Sequence, residues 1–396
     1  MITLGEMQIS GMLTMTILSV MLVACAPGRS IRRHSFAVAR WMMAGGTGLI
    51  ALQFLLQHAH GFRQMGITQG VLCNLLFFTP ASMLCGMAIL YVQRQGSVSR
   101  KEWLSVAAMP VLSAIILIGT VLLDGVPIRE ESVALRIAEY VGSLIYVVMQ
   151  SFIFAKQYKA YKRLEQAVDE YYDRSRRDLF GWMGLSMKTM TLLAFFVPVV
   201  IFMEGAPLVL FSIAYFFIIS YSTISLYTYG VSKDMEKVEE AGAIDHLPFT
   251  IDQSPLDTEQ SLCAANNSQC SMFNEEPLSA QPIMVNGQWS MFNERIKDWI
   301  ASGHYREHNL TLSIVARQMG VPQKQLQLWL RQSEYKKLAG LVATLRIEEA
   351  KRVLKEHPEW SVESVADYCG FNDRKYFHQV FQQYTGTTPA KYQLSE

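Results

Sequence analysis

Apolar positions in the first 231 residues come in blocks rather than stripes. Seven blocks approach the ~20 residues that cross a bilayer: Met7–Ala26, Phe36–Gln57, Val71–Val92, Trp103–Leu123, Ile137–Ala155, Gly184–Met203 and Leu208–Tyr227. They predict seven transmembrane helices over residues 1–231. From Met291 onward the pattern changes to short stretches with apolar residues three and four apart, broken by turns, which is the signature of a small helical domain. Between them, residues 232–290 carry Pro248, Pro255, Pro277 and Pro282 among Ser, Asn and Gln, with few periodic apolar positions. That composition predicts a disordered linker. The fold class expected is all-α in three parts: a seven-helix transmembrane bundle, a linker, and a helical domain over 291–396.

One hydrophilic connection interrupts this scheme. Lys156–Phe180 contains no Gly or Pro and sets Tyr158, Tyr161, Leu164, Val168 and Tyr171 on one helical face. Two placements fit that pattern: an extension of the fifth span by several turns, or a helix lying on the membrane surface.

Charge divides the chain in the same places. Lys plus Arg against Asp plus Glu is 18 to 12 in residues 1–231, 2 to 10 in the linker and 15 to 12 in residues 291–396, so the net charge of +1 conceals an acidic middle. That acidic stretch would act as a solubilising spacer or compete with phosphates for basic faces. Basic residues also alternate between loops. The first, third and fifth connections hold Arg29, Arg32, Arg33 and Arg40, then Arg94, Arg100 and Lys101, then Lys156, Lys159, Lys162, Arg163, Arg174, Arg176 and Arg177; the second and fourth hold only Arg63, Arg129 and Arg136. Because basic loops stay in the cytoplasm, the N-terminus is expected outside and the C-terminus, after seven crossings, inside. "LVAC" at Leu22–Cys25 resembles a lipoprotein cleavage box, but no Lys or Arg precedes it and four basic residues follow. The six cysteines show no metal-ligand spacing, and no HExxH, GxSxG or P-loop occurs in the membrane half. No cofactor and no catalysis are expected. Gln53, Gln57, Asn74 and Gln150 are candidates for hydrogen bonds between spans, Gly45, Gly46 and Gly48 for close helix contact, and Lys188 for snorkelling to the interface.

The terminal region repeats itself. "LTLSIVARQMGVPQKQLQLWL" (Leu310–Leu330) and "WSVESVADYCGFNDRKYFHQVF" (Trp360–Phe381) each offer a hydroxyl cap (Thr311, Ser361), an Ala at a close crossing (Ala316, Ala366), a turn Gly (Gly320, Gly370) and an apolar plug (Val321, Phe371). A second helix follows in each copy. This is the helix-turn-helix pattern, present twice. Between the copies, Leu338–Lys355 reads as one helix of about 27 Å, against about 34 Å between successive major-groove faces.

At these residues, with "LRIEEAKRVL" between them, the chain resembles the AraC/XylS family of bacterial transcription regulators. The resemblance covers about a quarter of the chain and implies double-stranded DNA as a partner. By resemblance the groove-facing residues of the first copy are Lys324, Gln327 and Leu328, where Pro322 replaces the usual cap Ser and Tyr335 the usual following Gly. In the second copy Asn372 is expected to cap the recognition helix, with Arg374, Lys375, His378 and Gln379 on its exposed side. Arg and Lys suit guanine edges and Gln suits adenine. The combined expectation is a membrane-embedded, one-component sensor and DNA-binding regulator of a bacterial cytoplasmic membrane. Its expected partners are the lipid bilayer and a small-molecule or membrane-protein signal, with homodimerisation left open. A transporter or intramembrane enzyme whose state the DNA-binding domain reports is the alternative. A terminal domain turned into an interaction module is a third reading.

Overall fold

The computed structural model describes residues 3–24, 34–126, 130, 132–173, 176–232, 237–238 and 286–395. Among these residues every regular element is a helix, and pairing in β fashion is limited to an isolated bridge between Tyr172 and Thr311. The chain divides into two compact units. Unit 1 comprises Met1–Gln166 and Arg176–Glu240, and unit 2 comprises Ala167–Ser175 and Ala241–Glu396. Most of the expected linker, residues 239–285, lies outside the described residues, as do Cys25, Arg29, Arg32, Arg33, Arg129 and Arg174.

Unit 1 contains seven helices long and apolar enough to cross a membrane: α1 Leu4–Ala24, α2 His34–His60, α3 Ile67–Gln93, α4 Arg100–Leu123, α5 Val133–Tyr171, α6 Gly181–Val200 and α7 Ala206–Val231. Helix α3 is the central member, with 67% of its apolar window buried, whereas α4 has only 22% buried. The outward faces remain greasy: Leu104, Leu122, Leu123, Phe217 and Leu210 are all more than two-thirds exposed.

Two devices hold the centre. Gly46 lets α2 approach α3 so closely that a Cβ there would lie 2.5 Å from Cys85 Sγ and 2.9 Å from the Ala81 carbonyl oxygen. Gly45 and Gly48, on the same stretch, meet nothing closer than 3.4 Å. Asn74 Oδ1 accepts from both Gln53 Nε2 and Gln57 Nε2 at 2.6 Å, and Gln150 donates to Ser82 Oγ. These bonds join α2 to α3 and α5 to α3 in surroundings where an unpaired amide would be costly. Lys188 is exposed on α6.

Helix α5 resolves the choice left by the Lys156–Phe180 pattern. It runs unbroken for 39 residues, roughly 58 Å, from Val133 to Tyr171, so the amphipathic stretch continues the fifth apolar helix. It stops nine residues short of Phe180. Tyr161 packs over Gly184 of α6, where a Cβ would come within 2.8 Å of the ring. The last five residues of the helix belong to unit 2.

Unit 2 is built from α8 Asn286–Ala301, α9 Leu312–Met319, α10 Gln323–Gln332, α11 Leu338–Glu356, α12 Val362–Tyr368, α13 Arg374–Thr385 and α14 Pro389–Leu394, with the end of α5 packed among them. The long helix α11 buries Leu341, Ile347, Ala350, Val353 and Leu354, leaving Leu345 half-buried. Its second half shares one apolar cluster with Val365, Ala366, Phe371, Phe377 and Phe381 of the second motif.

Candidate nucleic-acid interface

Both helix-turn-helix motifs form from the residues that suggested them. Thr311 Oγ1 accepts from the Ile314 N–H and Ser361 Oγ from the Ser364 N–H, so each first helix begins on its hydroxyl cap. Ala316 and Ala366 are both 3% exposed, and the plugs Val321 and Phe371 are buried. Gly320 ends α9 at φ 63° in the left-handed region that favours glycine.

The two motifs are locked to one another through the loop ahead of the first. Gly370, at φ 90°, brings the second turn so near Arg306 that a Cβ would sit 2.3 Å from its carbonyl oxygen. Asn372 Nδ2 donates to Asn309 Oδ1 at 2.8 Å. From the long helix, Arg346 donates to the carbonyls of Tyr305 at 2.8 Å and Glu307 at 2.7 Å. The helix α8 adds a brace to the first motif: Arg295 Nη1 donates to the Met319 and Gly320 carbonyls, the bare acceptors at the end of α9.

In the second motif the recognition helix is α13. Its cap is Asp373, whose carboxylate accepts from the N–H groups of Lys375 at 2.7 Å and Tyr376 at 3.3 Å. The expectation that Asn372 caps this helix is therefore corrected by one residue. A carboxylate is the better acceptor at the positive end of a helix dipole, and the amide of Asn372 is turned to Asn309 instead. Arg374, Lys375 and Gln379 are exposed, as is Asn372, while His378 is half-buried and opposite them Phe377, Val380 and Phe381 are buried. Arg374 forms an ion pair with Glu363, both side chains being well exposed.

The first recognition helix, α10, is different. Pro322 precedes it without a side-chain cap, and Lys324 is half-buried. Gln327 is only 7% exposed and Leu328 9%. Gln327 Nε2 donates at 2.6 Å to Glu170, near the end of α5, and Arg331 Nη2 donates to the same carboxylate at 2.7 Å. The positive φ that would suit the usual glycine after this helix falls on Lys336, at 58°, rather than on Tyr335. Gly340 then passes under the Tyr335 carbonyl, where a Cβ would lie 2.5 Å from the oxygen. Glu170 was legible as one acidic residue of an amphipathic helix, but nothing local pointed to its partners.

Two further groups carry perturbed chemistry. Cys369 is buried and its thiol is pushed up to about 12 by burial, so it remains protonated and inert. Burial likewise lowers Arg346 from its ordinary value, opposed by the neighbouring Asp173 carboxylate. No group of His, Cys, Asp and Glu suited to a metal ion occurs among the described residues.

This geometry, two capped helix-turn-helix motifs on one connecting helix, defines a DNA-binding domain. A family profile described as a helix-turn-helix domain matches residues 315–395, and the match is of AraC type. The chain is also similar to the uncharacterized transcriptional regulatory protein YesN of Bacillus subtilis (strain 168), with 34% identity over 67 residues. That match covers 17% of this chain and 18% of the relative, so the likeness is to a domain and not to a whole protein. No solved structure matches the chain.

Proposed function

We propose that the chain is a membrane-embedded regulator in which unit 1 receives a signal and unit 2 binds DNA in the cytoplasm. The observation that carries this reading is α5: one unbroken helix begins in an apolar bundle and ends among the helices of an AraC-type DNA-binding domain. Signal and response then share a single chain, with no phosphotransfer step between them.

A site for the signal is supported inside unit 1. A cavity of about 50 Å³ is lined by Gln53, Gln57, Asn74 and Arg63 on one side and by Phe54, Phe78, Phe211 and Tyr215 on the other. Arg63 is 9% exposed; its Nη2 donates to the Ile201 carbonyl at 2.7 Å, while Nη1 has no hydrogen-bond partner. Convergent polar groups in an apolar cavity mark a place for a small polar molecule. The transporter or intramembrane enzyme reading would draw on the same cavity.

The loop charges support the orientation proposed. Arg94, Arg100, Lys101, Lys156 and Lys159 lie at one end of the spans, and Arg63 and Arg136 at the other. A reporter active only in the cytoplasm, fused after Tyr229, is expected to be active, and a periplasmic reporter at that point silent. The opposite pattern would place unit 2 away from DNA and overturn the proposal.

A further inference from the structure

We propose that the outward face of the first recognition helix is a docking surface for the acidic turn Asp169–Asp173 of this same chain, and that this turn and DNA compete for it. The proposal rests on reading unit 2 as a DNA-binding domain and adds what regulates it.

The contacts reach both helices of the first motif. Tyr171 Oη and Ser313 Oγ are 3.0 Å apart at the start of α9, and the Asp173 N–H donates to the Leu310 carbonyl at 3.2 Å just before it. On α10, Glu170 accepts from Gln327 and Arg331, which are four residues apart and so share one face. Beyond α10, Lys337 donates to Asp169 at 3.2 Å.

The donor set is the one that DNA would use. Phosphate oxygens are bound by Arg, Lys and Gln side chains, and Gln reads base edges when it faces the groove. Here those donors face carboxylates, and the amide of Gln327 is spent on Glu170. A phosphate arriving at Arg331 would meet Glu170 as a like charge at close range, so the two anions exclude each other. The second motif is not covered in this way, because Arg374, Lys375 and Gln379 remain exposed.

The turn has an anchored part and a displaceable part. Asp173 pairs with Arg346 at 3.1 Å, with side chains 5% and 4% exposed, and breaking that pair would strand a buried charge. Asp169 and Glu170 are about one-fifth exposed, and their partners Lys337 and Arg331 more so. Asp173 therefore holds the end of α5 on the domain, while Glu170 and Asp169 are the groups that yield to DNA.

The test uses the full chain in lipid nanodiscs and a fluorescein-labelled duplex of random sequence, titrated at several salt concentrations. Glu170→Gln is expected to tighten binding roughly tenfold at low salt, and to steepen the salt dependence by about one released counterion as Arg331 becomes available to phosphate. Asp169→Asn should act in the same direction by about threefold, and carries the same test should Glu170→Gln fold poorly. Glu359→Gln, which removes an equal charge from an exposed position paired with His357, controls for bulk electrostatics. It should leave the salt slope unchanged and shift affinity by less than about twofold. If Glu170→Gln and Asp169→Asn match Glu359→Gln in affinity and slope, the docking surface is refuted. Absence of duplex binding by every protein would instead refute the DNA-binding reading beneath it.

Discussion

At the residue scale, the two recognition helices are not equivalent. Arg374 and Lys375 stand exposed in the first turn of α13, and we propose that this end of the helix meets base edges in the groove. Arg374 must leave Glu363 to do so, an exposed pair that costs little to open. We predict that Arg374→Ala loses ~1–3 kcal/mol on a preferred site and relaxes base choice there. Lys324→Ala should weaken all sequences alike and lower the salt slope by about one. Titration of a preferred site and of scrambled DNA decides between them, and loss of discrimination in Lys324→Ala alone would reverse the assignment. Most of this helix was legible, since Phe377 and Phe381 mark its inner face and thereby its outer one. The cap was not: in "GFNDRKYF" two adjacent residues are competent acceptors, and the choice of Asp373 over Asn372 follows from a hydrogen bond to Asn309, 63 residues away.

Glycine positions carry the element scale, because two of them look equivalent and are not. Gly370 and Gly386 both have positive φ, at 90° and 76°. At Gly386 a Cβ would meet nothing within 4 Å, so Gly386→Ala should cost about 1 kcal/mol of strain alone. At Gly370 the same Cβ would strike the Arg306 carbonyl, which belongs to backbone and has no rotamer to yield, so Gly370→Ala should cost about 2–3 kcal/mol and loosen the junction of the two motifs. Chemical denaturation of unit 2 followed by tryptophan fluorescence measures both, and equal losses would show that the junction is not tight. The elements themselves were readable: the hydroxyl caps, the turn glycines and the stretch without a breaker after Gly340 each set a boundary by local chemistry. For α5, periodicity showed an amphipathic helix but left two placements open. In the structure the helix runs unbroken to Tyr171.

For the whole molecule, composition did the most. Seven apolar blocks and a paired motif at a fixed offset were enough to predict the seven apolar helices and the two helix-turn-helix motifs that the structure describes. What composition could not supply was the connection between parts. The acidic side chains met by the first motif and the residue just beyond it are Glu170 and Asp169, and they come from the far end of the long helix α5, more than 150 residues earlier in the chain. No local pattern reports a partner at that separation. The proposed function requires one chain to cross the membrane and hold DNA at the same time. Formaldehyde crosslinking in cells, isolation of the membrane fraction, capture of the full-length chain and sequencing of the DNA attached to it measures both at once. Discrete promoter segments enriched with membrane-bound protein, and lost with Arg374→Ala, are the expected result. Full-length protein in the membrane fraction with no enriched DNA, or DNA recovered only with protein in the soluble fraction, would contradict it.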